Sequence, residues 1–326
     1  MIQEEKTCIS IFVLDGKGGA DIIDVERLTP KHLSHPIWFH FNLSSSEAIH
    51  WLNHNLSLPD NIKENLTDTD LSDNHVHLHQ KGLFFVVRSI NMVPNAEPDD
   101  LVLLRLYVTK KMLITTRLHP AIDFGEIKEL FSDKDGPKNT DELMITVLEN
   151  TLERISEAIT GIENYVDTLE EEIIMCCFTS KTYIQLSEFL RQVIIIRRFM
   201  LPEREVIDNL IRHTVSWFEK DTKKGLQDCF EWLQRIIEDI DLLEKRIRVN
   251  QDAIQNQENA KMQRNMYMLT VVAGLFLPLS FLSGLFGMNL SGIPLGEHPY
   301  GFLIVCFVTV CVGLIVLFIF KKVKWI

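Results

Sequence analysis

The chain has 326 residues, with 33 Lys and Arg against 45 Asp and Glu, for a formal net charge of −12. That length supports about two separately cored domains, and the acidic balance excludes a nucleic-acid-binding surface as a global property. The apolar residues are unevenly spread: most of the chain reads as a charged soluble protein, while roughly the last sixty residues are almost wholly apolar.

The first ~130 residues alternate strand and helix signals. Cys8 to Leu14 and Ala20 to Arg27 read as strands joined by Asp15-Gly16-Lys17-Gly18-Gly19. That glycine run lacks the full phosphate-loop pattern and precedes no helix, so a hairpin turn is expected. Ile37 to Phe41 is a further strand, and Ser44-Ser45-Ser46-Glu47 reads as a capping box opening a helix through Trp51. Leu83 to Ile90, Leu101 to Val108 and Met112 to Thr116 are β-rich, and Pro120 sits where a helix would open. An N-terminal α/β domain over residues 1–139 is expected.

From Thr140 the pattern is helical. One amphipathic run covers Asp141 to about Phe178, and a second covers Tyr183 to about His213, with Pro202 expected to interrupt it. A third begins near Lys223 and meets no stop signal before the apolar end, so residues 140–264 read as a long helical stalk.

Two spans of membrane length follow, at about 268–287 and 300–320 within residues 265–326. Lys261 and Arg264 precede the first, Lys321, Lys322 and Lys324 follow the second, and the loop between carries no Lys or Arg. Both termini are therefore expected in the cytoplasm, with Tyr300 and Trp325 at the interfaces. Met1-Ile2-Gln3-Glu4-Glu5 has neither the basic start nor the apolar stretch of a signal peptide. The six cysteines suggest no disulfide framework: Cys176 and Cys177 are adjacent in a helical pattern, and Cys306 and Cys311 lie in the apolar run.

Two helices cannot enclose an aqueous path, so transport would require several copies around an axis. Asp252, Asn256, Asn259, Gln263 and Met266 recur at spacings of three and four, a heptad-type seam made largely of polar side chains. Polar residues in succession destabilise a dry coiled-coil core but suit a wet axis; a solvated face is the other reading. The same face continues as Leu269, Ala273, Leu277, Ser280 and Gly284 towards Asn289. A ring of Leu269 and Met266 would gate by dewetting, and amide oxygens would hold hydration water.

Three further constellations carry alternatives. Glu297 and His298 in the outer loop would concentrate cations, or are a solvated pair. His75, His77 and His79 would share one strand face, which suits a metal or is a polar exposed edge. Glu170-Glu171-Glu172 reads as a solvated helix face, or enriches cations locally. No nucleophile elbow, HExxH motif or complete phosphate loop occurs, so no enzyme and no cofactor are expected.

Gly287-Met288-Asn289, at the outer end of the first span and preceded by Pro278-Leu279-Ser280-Phe281-Leu282-Ser283-Gly284-Leu285-Phe286, resembles the signature of the CorA superfamily of divalent-cation transporters. Within it the chain most resembles the ZntB zinc-transporter subgroup. The carrying residues are Asp15-Gly16-Lys17-Gly18-Gly19, Trp38-Phe39-His40-Phe41-Asn42, Asn289-Leu290-Ser291-Gly292-Ile293-Pro294 and Lys324-Trp325-Ile326. The resemblance implies an α+β membrane protein of the bacterial inner membrane: a homopentamer with a cytoplasmic funnel, two transmembrane helices per copy and one central pore. It implies that Asn289 and the Gly287 carbonyl meet a hydrated cation at the mouth, and that Asp252 lies on the cytoplasmic axis. ZntB-type members imply proton-coupled zinc uptake, and CorA itself a magnesium-gated channel for magnesium and cobalt; a membrane-anchored metal sensor without transport is the third alternative.

Overall fold

The structure, a computed structural model, describes residues 8–68, 76–79, 82–91, 101–118, 124–212, 215–288 and 299–322. The chain forms two compact units, Met1–Gln251 and Asp252–Ile326. The first unit holds the strands together with the helical stretch that follows them as far as Gln251.

In the first unit, β1 (Ile9–Leu14), β2 (Ala20–Ile23), β3 (Ile37–Asn42), β4 (His77–His79), β5 (Gly82–Ile90), β6 (Leu101–Thr109) and β7 (Met112–Arg117) form one sheet. The order is β2-β1-β3-β7-β6-β5-β4, and β3–β7 is parallel while the other pairings are antiparallel. β3 lies inside the sheet with both faces covered, which is why its sequence, Ile37-Trp38-Phe39-His40-Phe41, runs apolar without alternation. The strand expected to reach Arg27 ends at Ile23 and gives way to a 3-10 turn over Val25–Arg27.

Phe39, Phe41, Ile11 and Phe84 pack on one side with Ala48 and Leu52 of α1 (Ser46–Asn55) and Ile62 and Leu66 of α2 (Asp60–Thr67). On the other side Trp38 stacks on Phe12 at 4.6 Å and meets the edge of Phe124 at 5.1 Å. Phe124 leads into α3 (Gly125–Asp133), and α4 (Thr140–Ile174) crosses β5, β6 and β7. Trp38 Nε1 donates to Thr115 Oγ1 at 2.9 Å, and the same oxygen lies 2.7 Å from His40 Nδ1. Burial, reinforced by the positive charges of Arg117 and Lys128, holds the His40 imidazole well below its ordinary range, so it is neutral.

The glycine run is a turn, as expected. Gly16 and Gly18 take φ of +73° and +101°, and Asp15 Oδ1 accepts from the amides of Lys17 and Gly19 at 2.6 and 2.9 Å. Ser45 stands at the α1 N-cap without a side-chain cap bond, and Ser44 donates instead to Asn42 Oδ1 at 2.7 Å. The expected capping box is therefore absent there. A reciprocal pair does start α4: Asn139 Oδ1 accepts from the Glu142 amide at 2.9 Å, and Glu142 Oε2 accepts from the Lys138 amide at 2.8 Å.

α5 (Ser180–Arg212) is continuous through Pro202, correcting the expected interruption: packing of Met200, Glu203 and Val206 outweighs one lost backbone hydrogen bond. Cys176 and Cys177 follow the end of α4 rather than lying within it, with Cys176 at φ +56°. Pro120 lies outside the described residues, and α3 begins at Gly125. α6 (Lys220–Phe286) is pinned to α4 by Arg246, whose guanidinium reaches Glu163, Asp167 and Glu170 at 3.4, 2.5 and 2.7 Å. It is pinned to α5 by Arg197–Asp241 at 2.5 Å and by Gln251 to Ser187 at 3.0 Å.

Glu203 is a buried acid whose carboxyl is pushed up to about 8, chiefly by desolvation, against the opposing pull of the Arg88 amide and guanidinium. The folded unit therefore holds a proton there that the unfolded chain gives up above the ordinary glutamate range. Stability should fall as pH rises through that interval and level off above about 8. Glu203→Gln, which mimics the protonated acid, is expected to flatten this dependence in denaturant melts of the soluble unit; an unchanged pH profile would show that Glu203 is not the group responsible.

Candidate functional site

The second unit contains the C-terminal part of α6 and α7 (Gly301–Lys322), and both helices are long and apolar enough to cross a membrane. Their large side chains stay uncovered: Phe276, Phe281, Phe302 and Phe307 are 58, 66, 80 and 70% exposed. Apolar area on that scale needs hydrocarbon or another protein surface against it.

One face of α6 is covered by α7. Val271, Gly274, Leu275, Pro278, Leu279, Leu282 and Phe286 are half-buried, as are Val305, Val312, Gly313, Val316 and Phe320 of α7. Glycine permits this approach on both helices. A Cβ at Gly274 would stand 2.8 Å from the Phe320 ring, and one at Gly313 would touch Leu279 at 3.6 Å. These two glycines were legible only as small residues in an apolar run; which of them meets α7 depends on the antiparallel register of the two helices.

The stripe identified from spacing occupies the opposite side. At 3.6 residues per turn, Ala273, Leu277, Ser280 and Gly284 centre about half a turn from the α7-facing set. Asp252, Asn256, Asn259, Gln263, Met266, Leu269, Ala273, Leu277, Ser280 and Gly284 are all exposed in the single chain. The structure thus brings the stripe to one uncovered surface of one helix. Its polar members carry amide and carboxylate oxygens, and its apolar members Met266, Leu269 and Leu277 are 60, 65 and 71% exposed.

α6 ends at Phe286, immediately before the three-residue motif. The Gly287 amide donates to the Ser283 carbonyl at 2.9 Å, and a Cβ at Gly287 would lie 3.0 Å from that oxygen. The last turn of a helix presents carbonyls without intrahelical partners and carries the negative end of the macrodipole. Oxygen donors and partial negative charge therefore converge where Gly287 and Met288 stand, a local field that suits a cation. Asn289, Glu297 and His298 lie outside the described residues.

His75 also lies outside the described residues, while His77 and His79 belong to β4, the strand at one end of the sheet. Among the described residues no group of three or more His, Cys, Asp or Glu side chains is gathered for a metal. Glu170 of the acidic run is engaged by Arg246, whose guanidinium is held above its ordinary range by Glu170 and Asp167. The Arg246 clamp went unnoticed in the sequence because its three acids lie 76 to 83 residues away.

Residues 34–322 match the model of the CorA-like Mg2+ transporter family. The zinc transport protein ZntB of Pectobacterium atrosepticum is 30% identical over 98% of this chain and 96% of its own length. The divalent cation transporter CmaX of Pseudomonas aeruginosa is 28% identical over 99% of this chain and 98% of its own length. A full-length CmaX structure superimposes with a TM-score of 0.82 at 27% identity, covering 99% of this chain and 100% of that one.

The two faces of α6 make opposite expectations for chemical access. In a background freed of native cysteines, Ala273→Cys, Leu277→Cys and Ser280→Cys should react with a membrane-impermeant thiol reagent. Leu275→Cys, Leu279→Cys and Leu282→Cys should be protected by at least tenfold in rate, on the order of the difference that one buried helix face imposes. Equal labelling of both sets would remove the distinction between the faces.

Proposed function

The chain belongs to the CorA-like Mg2+ transporter family, and from that premise we propose that it carries zinc or a closely related divalent cation into the cytoplasm along a central path between identical copies. It is a divalent-cation transporter of the membrane and not an enzyme. The observation that carries the finer reading is the uncovered stripe of α6 opposite α7, since only further copies can turn one helix face into a closed path. A homopentamer, as the family resemblance implies, would place five such stripes around one axis, with both termini on the cytoplasmic side of a bacterial inner membrane.

Along that path Asn289 and the Gly287 carbonyl take the hydrated ion at the mouth. Ser280, Leu277 and Ala273 line the span, and Leu269 and Met266 form a narrow apolar ring that conducts only when wetted. Gln263, Asn259, Asn256 and Asp252 then offer oxygens in place of hydration water. Glu297 and His298 would raise the local cation concentration outside.

The donor set favours an ion that keeps much of its water. Zinc binds best to imidazole, thiolate and carboxylate, whereas magnesium keeps waters and oxygen ligands. From Asn265 to Gly296 the sequence holds no Asp, Glu, His, Lys or Arg. A proton coupled to transport would therefore travel along water rather than through side chains. These oxygen-only donors are also the specific observation favouring the second reading, a magnesium and cobalt channel gated from the cytoplasm. The ZntB relatives support zinc, and the ion class separates the two readings.

Uptake into proteoliposomes of zinc and of magnesium, each with and without an inward proton gradient, tests the proposal. Zinc flux that rises with the gradient is expected. Magnesium flux indifferent to it would favour the channel. Asn289→Ala is expected to lower flux at least a hundredfold, about 2.7 kcal/mol in barrier terms, with the oligomer intact by size. Undiminished transport in that variant would overturn the mouth assignment.

A further inference from the structure

α1 carries a histidine pair that the transport path does not use. His50 and His54 are four residues apart and both exposed, so they sit one above the other on the outer face of a helix whose inner face, Ala48 and Leu52, is fully buried. Their rings are parallel to within 19°, with centroids 4.1 Å apart.

A second observation sets the donor atoms. His54 Nδ1 stands 2.9 Å from the His50 backbone carbonyl. A carbonyl oxygen can only accept, so Nδ1 must carry the proton, and in the neutral ring Nε2 is left as a lone-pair donor. An imidazole whose Nδ1–H is held by a backbone carbonyl is the arrangement found behind metal-ligating histidines, where it fixes both tautomer and ring orientation. Two imidazole nitrogens binding one tetrahedral zinc at ~2.0–2.1 Å stand roughly 3.3 Å apart. Imidazole lone pairs lie in the ring plane, so with His54 held by its carbonyl bond the exposed His50 ring has to turn out of the stack to bring a nitrogen beside His54 Nε2.

We propose that His50 and His54 form a two-nitrogen surface site on α1 for a borderline divalent cation of the zinc class, completed by water. Hard cations are excluded by the nitrogen donors, because magnesium takes oxygen ligands and gives up its water reluctantly. The site is distinct in kind from the α6 stripe: nitrogen-rich, on a soluble helix, and built to hold a cation rather than pass it. It does not depend on the transport reading. Loss of flux in Asn289→Ala bears on the stripe alone, and zinc retention by α1 bears on this site alone.

The test uses the full-length protein in detergent, stripped of metal and titrated with zinc against a chromogenic chelator in the presence of millimolar magnesium. The wild-type chain should hold one more zinc per copy than the His50→Ala/His54→Ala double variant. Either single substitution should weaken that zinc by at least tenfold. In the wild-type protein, zinc should also slow modification of His50 and His54 by diethyl pyrocarbonate, read by peptide mass spectrometry, a measurement that needs no variant to fold. Equal zinc counts and affinities in the wild type and the double variant, displacement by magnesium, or modification rates unchanged by zinc would each overturn the site.

Discussion

In hydrocarbon a cation moves only where water or oxygen donors replace its hydration shell, and a single pair of apolar helices provides neither. α6 has two faces of different composition. One face is apolar and closes against α7, with Gly274 under Phe320 and Leu279 against Gly313 of α7. The other is left bare, and its residues pass from carboxylate and amides at Asp252 to Gln263, through Met266 and Leu269, to Ala273, Ser280 and Gly284. A helix that only anchored a soluble protein would have no use for two such faces; lipid-facing positions would be apolar all round. In the proposed oligomer further copies would complete the enclosure, and α7, with exposed Phe302, Phe307 and Phe318, would supply the apolar outside.

The first unit depends on a different balance. Its sheet buries Trp38, Phe39 and Phe41 on a central strand, and a few polar groups are carried into the same interior. His40 and Trp38 share Thr115, which satisfies one ring nitrogen of each and keeps the imidazole neutral where a charge would be costly. Glu203 is retained in protonated form beside Arg88. The helices outside the sheet are joined by ion pairs that remain partly exposed, such as Arg246 with Glu163, Asp167 and Glu170. Each exposed pair is worth little by itself; beside them both helices bury apolar side chains, among them Ile162 and Val166 of α4 and Ile240 and Ile247 of α6.

Local and periodic signals made much of this legible in the sequence. Two charge-free spans, the three long helices and the glycine turn at Asp15 all follow from composition and from a 3.6- or 2-residue repeat. What was not legible depends on contacts between distant segments. Pro202 reads as a helix stop, yet the buried neighbours Met200 and Val206 carry α5 through it. Ser44 to Glu47 reads as a capping box, yet Asn42 competes for the hydroxyl of Ser44. α2 escaped notice because an eight-residue helix shows barely two turns of periodicity. The stripe could be written down from spacing, but not which face α7 covers, since that needs the register of Leu279 on Gly313. The pair on α1 was missed because His50 and His54 look like ordinary exposed residues until the bond from His54 Nδ1 to the His50 carbonyl reveals which nitrogen is free.

Donor chemistry gives the two halves of the chain complementary work. An ion in transit must be held weakly, because a ligand set that strips its water would also trap it. On the proposed path, amide and carbonyl oxygens would satisfy that condition for a borderline cation better than imidazoles, since they compete poorly with its own hydration shell. If the chain carries zinc as proposed, selectivity over magnesium would not come from strong ligands at the mouth. On the proposed path it would have to come from how readily each ion exchanges its water for the amide and carboxylate oxygens of Gln263, Asn259, Asn256 and Asp252, because magnesium gives up its water reluctantly. Strong nitrogen ligands belong instead on a surface that conducts nothing, and the exposed face of α1 is where this chain places them.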